Sequence, residues 1–194
     1  RNPEAFIRQA PDLCRYPAIS FCKGDVRSFV FPEKDHPFII HGAVDTDAKV
    51  DNETPLTIFD TIVQGTRRAL DYAVKARCLK FLFISSGAVY GKQPPEMTNI
   101  PESYLGGPDT MEPGSDYGEA KRAAEFLCSS YHTRYPNIET KIARCFAFVG
   151  PHMPLNSHFA IGNFIRDAIH GGPVQVKGDG TPCSSYLYAS DLAI

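Results

Sequence analysis

The most informative pattern of hydrophobic and polar positions lies in the middle of the chain. Residues 81–84 form an apolar run, and residues 85–88, which follow it, are small or polar. A short apolar run that ends in small residues predicts a buried parallel strand, whose last side chains lie at the carboxyl edge of a sheet. Open α/β sheets bind their ligands at that edge, so a functional site is expected there.

Patterns along the rest of the chain predict an alternation of strands and helices. Strands are expected at residues 18–22, 37–40, 80–84, 140–146 and 174–176. Helices are expected at residues 4–13, 55–76, 116–130 and 161–169. This alternation is typical of the α/β class with a parallel sheet.

Tyr117 and Lys121 stand four residues apart, so the predicted helix places them on one face. A tyrosine hydroxyl, with a pKa of about 10, is a poor base at neutral pH. An ammonium group one helical turn away favours the phenolate and suits Tyr117 to general acid–base catalysis. Ser86, at the strand end, can hydrogen-bond the same substrate oxygen. Alone, such a Tyr–Lys pair would more often be a solvated helix face, and the strand end at residues 85–91 makes the catalytic interpretation the better one.

With these residues the chain resembles the extended short-chain dehydrogenase/reductases, specifically the NAD-dependent epimerase/dehydratase family that acts on nucleotide sugars. The resemblance covers nearly the whole chain and rests on four segments in order: Ser86, residues 89–91, Tyr117-x-x-x-Lys121 and residues 144–151. It implies an α/β fold with a Rossmann-like doubly wound parallel sheet, NAD or NADP as cofactor, and a nucleotide sugar as substrate. The implied reaction is catalysed by Tyr117, which takes a proton from a sugar hydroxyl while a hydride passes to the nicotinamide. Lys121 would lower the pKa of Tyr117 and bind the nicotinamide ribose, and Ser86 would orient the reacting oxygen.

The resemblance also assigns contacts along the chain. Cofactor contacts are expected at Asp25, Val26, His41, Gly42, Ala43, Ile84, Ser85, Tyr117, Lys121 and Phe146. Substrate contacts are expected at Ser86, Gly87, Ala88, Ala147, His158 and Phe159. Two of these positions have an ordinary alternative, because Asp25 can cap a strand-to-helix turn and His41 can be a packed structural histidine. Gly42 and Ala43 are the better cofactor candidates, since small residues let the backbone approach the phosphates.

Three positions depart from the family pattern. Ile62 stands where the family usually has an asparagine before its Gly-Thr, and Ala147 replaces an asparagine that contacts the sugar nucleotide. Ser184 lies at or near the place of an arginine that pairs with the diphosphate, and a serine cannot supply that charged bidentate contact. These departures favour two alternatives, a non-catalytic dinucleotide-binding or redox-sensing module and a reductase of a non-sugar carbonyl. The intact catalytic residues favour an enzyme.

Gly87 and Ala88 narrow the reaction type. The resemblance implies that members that eliminate water carry an Asp-Glu pair at this place, and that decarboxylating members keep a glutamate. Neither glycine nor alanine can carry a proton. The sequence therefore predicts epimerisation or ketone reduction rather than 4,6-dehydration.

Composition excludes several other function classes. Hydrophobic residues make up 43% of the chain, charged residues 22%, and the net charge is −2, which gives no reason to expect a nucleic-acid or membrane surface. The six cysteines lack metal-ligand spacing, so no metal site is expected, and reduced thiols favour a cytoplasmic protein. The expected partners are the nucleotide sugar and a second copy of the chain in a homodimer.

Two partial domains are expected, an NAD(P)-binding Rossmann domain at residues 1–151 and a substrate-binding region at residues 152–194 with a segment that returns to the cofactor domain. The sequence has no glycine-rich strand-turn-helix of the kind that binds a dinucleotide. We therefore expect a longer protein, with roughly thirty further residues before Arg1. Arg1 itself leans slightly towards NADP, because a basic group suits a 2′-phosphate.

Overall fold

The computed structural model describes residues 3–44, 55–156, 159–181 and 183–193. These residues form two compact units, the first from residues 3–44 and 55–144 and the second from residues 145–193. The helices are α1 (Pro3–Gln9), α2 (Pro11–Cys14), α3 (Pro55–Lys75), α4 (Asp116–Arg134), α5 (Ala160–Ile169) and α6 (Ala189–Leu192). The strands are β1 (Phe38–His41), β2 (Lys80–Ser86), β3 (Glu139–Cys145), β4 (Ala147–Val149) and β5 (Tyr186–Tyr188). A 3₁₀ turn (Gly87–Tyr90), which we name the strand-end turn, follows β2 directly.

The first unit is built on a sheet with the strand order β1-β2-β3. β1 and β2 are parallel, and His41 at the end of β1 lies opposite Phe83 of β2. The carboxyl ends of these strands therefore meet at one edge of the sheet. The predicted α/β class with a parallel sheet is confirmed.

The core lies between β2 and the helices α3 and α4, which pack against each other. Alternate side chains of a strand point to opposite faces, and in β2 the buried members are Phe81 and Phe83, each 1% exposed. Burying each ring contributes roughly 2 kcal/mol to stability. On α3 the buried apolar residues Ile62, Leu70 and Ala73 recur at helical spacing and face this core.

The second unit contains a pair of short strands and one longer helix. β4 and β5 are parallel, with Ala147 opposite Tyr186. Helix α5 approaches the preceding loop closely at Gly162, where an added Cβ would lie 2.7 Å from the Pro154 carbonyl oxygen.

Several predicted elements were wrong. Residues 18–22 and 174–176 are not strands, because neither segment pairs with another strand in the described part of the chain, and their apolar side chains are exposed. The predicted helix at residues 4–13 is divided in two at Pro11, which lacks the N–H that a continuous helix needs. The predicted strand at residues 140–146 ends one residue earlier, and a separate strand begins at Ala147.

The described residues contain no helix long and apolar enough to cross a lipid bilayer. Within the same ranges, no group of three or more His, Cys, Asp or Glu side chains is placed to hold a metal ion. All six cysteines lie in described segments, and none of them forms a disulfide bond.

Candidate active site

Tyr117 and Lys121 lie on the face of α4 that packs against β2. Lys121 is only 3% exposed, and its Nζ donates a 2.8 Å hydrogen bond to the carbonyl oxygen of Ile84. The same Nζ lies 4.9 Å from the Phe83 ring centroid and 5.7 Å from the Tyr117 ring centroid. A buried ammonium group needs such partners, and an aromatic face supplies part of them. The pair is therefore not a solvated helix face.

Ser86 ends β2 and begins the strand-end turn. Its Oγ accepts a 3.2 Å hydrogen bond from the backbone N–H of Ala88. A serine hydroxyl that accepts one bond can still donate its own proton. Val89 and Tyr90, the last two residues of the turn, are buried and anchor it in the unit.

Gly118 lets α4 approach the strand-end turn closely. A Cβ added at this position would lie 2.8 Å from the carbonyl oxygen of Ala88 and 2.7 Å from Cγ of Pro108. The residue before Gly118 is Tyr117, so this close approach brings the catalytic candidate on the helix to the turn that follows Ser86. The predicted substrate contacts Gly87 and Ala88 lie in that turn.

A second attachment holds the following loop on α4. The Nη1 of Arg122 donates to the carbonyl oxygens of Gly106 at 2.8 Å and Val89 at 3.2 Å. Gly91 has a φ of 68°, in the left-handed region, and a Cβ there would collide with the Gly107 carbonyl. The loop therefore packs directly beside the strand-end turn.

His41 ends the neighbouring strand β1, and Gly42 and Ala43 follow it at the same sheet edge. The His41 ring is 6% exposed, is stacked on Phe83 at 5.7 Å, and lies with Nε2 3.1 Å from Oγ1 of Thr66. Burial, helped by the charge of Lys121, lowers the pKa of His41 to about 4. His41 is thus a packed neutral histidine, and its cofactor role stays a prediction.

Gly42 and Ala43 are both exposed. A Cβ on Gly42 would lie 3.4 Å from Cγ1 of Ile84, so Gly42 borders the end of β2. This small, exposed backbone segment lies next to the strand end that carries Ser85 and Ser86, which is the arrangement expected of a surface that receives a cofactor.

Asp25 and Val26 lie in a turn rather than at the start of a helix. The Asp25 carboxylate accepts a 2.8 Å hydrogen bond from the backbone N–H of Arg27 and pairs with the Arg27 guanidinium at 2.7 Å. These bonds lower the pKa of Asp25 to about 2. Val26 packs on α3, since a Cβ on Gly65 would meet its Cγ1 at 2.7 Å. The cofactor roles of both residues stay predictions.

The remaining predicted contacts belong to the second unit or lie outside the described residues. Phe146 is 59% exposed just before β4, Ala147 begins β4, and Phe159 is the exposed N-cap of α5. His158 lies outside the described residues. The second unit also contains a cavity of about 550 Å³ between α5 and residues 175–186, and Ser184 is among its lining residues.

Sequence reasoning missed Glu125 and the role of Arg144 in binding it. The Oγ of Ser85, which is 3% exposed, donates a 2.6 Å hydrogen bond to Oε1 of Glu125. Arg144 binds both carboxylate oxygens, with Nε 3.1 Å from Oε1 and Nη2 2.8 Å from Oε2. The signal was present in the sequence, because Glu125 follows Lys121 at the same four-residue spacing by which Lys121 follows Tyr117.

A model of the NAD dependent epimerase/dehydratase family matches residues 6–194 of the chain. The chain belongs to this family. The family expected from Ser86, Tyr117 and Lys121 is thereby confirmed.

Two curated relatives show how far the similarity extends. UDP-glucuronic acid decarboxylase 3 of Arabidopsis thaliana is 32% identical over 177 residues, which cover 91% of this chain and 50% of the relative. UDP-glucuronic acid decarboxylase 4 of the same plant is 36% identical over 140 residues, which cover 71% of this chain and 30% of the relative. The chain therefore spans half or less of the length of these relatives.

Solved structures confirm the Rossmann-like fold. UDP-N-acetylglucosamine 4-epimerase from Methanobrevibacter ruminantium, solved with UDP-N-acetylmuramic acid, has a TM-score of 0.78 at 23% identity and covers 92% of this chain and 56% of its own. UDP-glucuronic acid 4-epimerase from Bacillus cereus, solved with NAD, has a TM-score of 0.78 at 23% identity, with coverages of 96% and 57%. A GDP-L-fucose synthetase from Naegleria fowleri, bound to NADP, has a TM-score of 0.70 at 19% identity, with coverages of 88% and 59%. The family description and these bound cofactors agree with the expected NAD or NADP.

Proposed function

We propose that the full-length protein is an NAD(P)-dependent epimerase or ketoreductase that acts on a nucleotide sugar. The observation that carries the proposal is the burial of Lys121 beside the Tyr117 ring, with its Nζ bonded to the carbonyl of Ile84 at the strand end. Family membership supports the reaction class, and the nucleotide-sugar enzymes among the relatives support the substrate class.

Each catalytic candidate has a distinct task. Tyr117 exchanges a proton with a hydroxyl or carbonyl oxygen of the sugar. Lys121 places a positive charge against the tyrosine and favours its phenolate form. Ser86 donates a hydrogen bond that orients the reacting oxygen. A bound nicotinamide would accept or return the hydride, and the exposed Gly42 and Ala43 beside the end of β2 leave room for a cofactor backbone to approach.

The strand-end turn supports epimerisation or ketone reduction. Gly87 and Ala88 contribute backbone groups and no titratable side chain to the turn. The Ala88 carbonyl packs against α4 at Gly118. The turn therefore offers no proton-carrying side chain from Gly87 or Ala88, at the place where dehydrating and decarboxylating members are expected to carry one. The curated relatives named above are decarboxylases, so this part of the proposal rests on the residues of the turn rather than on those names.

The cavity of the second unit is our candidate for the nucleotide end of the substrate. Its volume of about 550 Å³ is in the range of small-molecule pockets. Arg166 on its wall is bonded to Asp167 at 2.8 Å and to Asn163 at 2.9 Å, while Lys177 contributes a further positive charge. Ser184, which replaces the expected arginine, lines the same cavity. A homodimer and a cytoplasmic location, the latter expected from the reduced thiols, stay predictions.

Tyr117→Phe in the full-length protein tests the catalytic proposal. Turnover with a nucleotide sugar should fall by about a hundredfold or more, while NADH binding is retained, because the change removes the proton-transfer group alone. Tyr131→Phe is the matched control on the same helix. Its hydroxyl donates to Asp71, and it lies about four helical turns beyond Tyr117, so turnover should stay near normal. Near-normal turnover of Tyr117→Phe would remove the assignment.

Product analysis tests the reaction type. Incubation with UDP-glucuronic acid, UDP-glucose and UDP-N-acetylglucosamine in the presence of NAD should give a 4-epimer or exchange of hydride with a keto sugar. Formation of a 4-keto-6-deoxy sugar, or release of carbon dioxide from UDP-glucuronic acid, would contradict the proposed subclass. Either result would leave the assignment of Tyr117 and Lys121 intact.

A further inference from the structure

Glu125 joins α4 to the end of β2 and has no task in the chemistry proposed above. It lies one turn after Lys121 and two turns after Tyr117, on the face of α4 that meets the strand. Its side chain is 12% exposed, and its Oε1 accepts the 2.6 Å hydrogen bond from the hydroxyl of Ser85. The Ser85 proton is therefore directed at the helix.

Arg144 balances the charge of Glu125. Its Nε contacts both oxygens of the carboxylate, at 3.1 and 3.3 Å, and its Nη2 contacts Oε2 at 2.8 Å. Its guanidinium group lies 4.8 Å from the ring centroid of the buried Tyr90. The Glu125 carboxylate raises the pKa of Arg144, as expected for a bidentate pair with little solvent around it. The carboxylate is held in one orientation by four hydrogen bonds, one from Ser85 and three from Arg144.

Consecutive residues of β2 are thus fastened to α4 by separate side chains. Lys121 binds the carbonyl of Ile84, and Glu125 binds the hydroxyl of Ser85. The next residue is Ser86. We propose that Glu125 is a positioning residue, whose hydrogen bond from Ser85 fixes the place of Ser86 relative to Tyr117. This inference rests on the proposed function.

The polar chemistry of this attachment points to position rather than to stability. An exposed ion pair contributes little to stability, and in a buried pair the desolvation cost offsets the attraction, so the partly buried Glu125–Arg144 pair is weak as a source of stability. A hydrogen bond is directional, and the 2.6 Å bond fixes the distance between helix and strand end. A misplacement of about 1 Å at a reacting centre can cost roughly a hundredfold in rate.

Ser85→Ala in the full-length holoprotein is the direct test. It removes the donor and leaves the Glu125–Arg144 pair in place. The single-turnover rate of hydride exchange, measured per bound cofactor, should fall by about tenfold or more, while the NADH dissociation constant stays within about twofold. An unchanged rate would overturn the proposal. A loss of NADH affinity with no fall in the rate at saturation would also overturn it, because Ser85 would then be a cofactor contact, as the family resemblance implies.

Three further variants separate positioning from packing. Ser85→Thr restores the hydroxyl and should recover the rate to within about threefold of wild type, whereas a rate as low as that of Ser85→Ala would overturn the proposal. Glu125→Gln, which serves if Ser85→Ala does not fold, keeps an oxygen that can accept from Ser85. It should lower stability and leave the rate per bound cofactor within about threefold, and a tenfold fall would contradict a role for the hydrogen bond. Glu139→Gln makes the same chemical change at an exposed ion pair with Lys141 and should not alter the rate.

Hydrogen exchange distinguishes failure of this inference from failure of the proposed function. If wild-type protein binds NADH and is inactive with every nucleotide sugar tested, the proposed function fails. The attachment of the strand end to α4 is then tested by the hydrogen-exchange rates of the backbone amides of residues 86–91. These amides include the Ala88 N–H, which is bonded to Ser86, and the Gly91 N–H, which is bonded to Ala88. In Ser85→Ala these amides should exchange about tenfold faster or more, because the strand end is released from α4. Unchanged exchange would overturn the inference independently of activity.

Discussion

Mild acid should destabilise the protein through His41. The imidazole is buried against Phe83, and its Nε2 lies 3.1 Å from Oγ1 of Thr66. Burial first, and the nearby charge of Lys121 second, lower the pKa of His41 from its ordinary 6.5 to about 4. Protonation in the folded state would place a second positive charge near the buried Lys121.

The sign of the effect follows from the two pKa values. In the unfolded chain the histidine takes up a proton near its ordinary pKa of 6.5, and in the folded protein only near 4. The unfolded state therefore binds more protons across this window, and stability falls as the pH is lowered through it. The contribution is fully present above 6.5, and the difference between the two values corresponds to roughly 3 kcal/mol lost by pH 4.

Urea unfolding between about pH 7 and pH 4 measures this loss. His41→Gln is the informative variant, because glutamine can still hydrogen-bond Thr66 and does not titrate. Wild type should lose about 3 kcal/mol more than His41→Gln across the window, although the variant starts from a lower stability at pH 7. His170→Gln makes the same change at an exposed histidine and should keep the wild-type pH dependence.

The other acid-sensitive groups are present in both wild type and His41→Gln, so their contributions cancel in the comparison. Asp25 has its pKa lowered from 3.8 to about 2 by Arg27, so the stability that it contributes is lost as the pH falls below 3.8, outside the window of His41. Parallel pH dependence in wild type and His41→Gln would refute the reasoning. So would a proton resonance of the His41 ring that titrates near its ordinary value in the folded protein.

The remaining predictions concern the same unit. Lys121→Met should raise the pKa of His41 modestly, since burial is the larger cause, and should move the pH–rate profile to higher pH, because the positive charge that lowers the pKa of the tyrosine is lost; an unchanged profile would contradict its electrostatic role. Gly118→Ala should lower the unfolding free energy by about 1–3 kcal/mol, because the added Cβ lies 2.8 Å from the Ala88 carbonyl oxygen, although alanine favours a helix by about 1 kcal/mol. A raised melting temperature would show that the helix and turn can separate without cost. Phe83→Ala should cost about 3–5 kcal/mol in urea unfolding, whereas Phe38→Ala, at a ring that is 66% exposed, should cost far less; equal losses would contradict the position of the core.

The elements around the site could be predicted because their signals are local. The apolar run at residues 81–84 and the helix formers from Asp116 onward correspond to β2 and α4, whose observed bounds extend further by a few residues. The four-residue spacing of Tyr117 and Lys121 gave their shared face. Whether that face is buried was not a local property, since it depends on a strand more than thirty residues away.

The errors came from segments whose structure depends on distant partners. Val174 and Val176 have the side chains of a strand, yet they are 48% and 59% exposed and are not paired with another strand in the described ranges. Ile62 departs from the family pattern, in which an asparagine usually stands at this place. The structure places the Ile62 side chain in the core, at 1% exposure. The attachment of Ser85 to Glu125 joins residues forty positions apart, so only the spacing along the helix hinted at it.

The curated relatives are named as decarboxylases, whereas the residues of the strand-end turn favour epimerisation or ketone reduction. For the type of reaction, the residues of the turn should carry more weight than the names. An identity of 32% over 177 residues averages mostly over side chains that pack the fold, whereas the reaction depends on the few groups that move protons. At the strand end Gly87 and Ala88 supply none. Glu125, the carboxylate attached to this strand end, has its oxygens bonded to Ser85 and Arg144 and is held there by its charge partner. In the function that we propose, Tyr117 is the proton-transfer group, and one such group would serve oxidation and reduction at a single carbon but would lack the second acid or base that elimination of water requires.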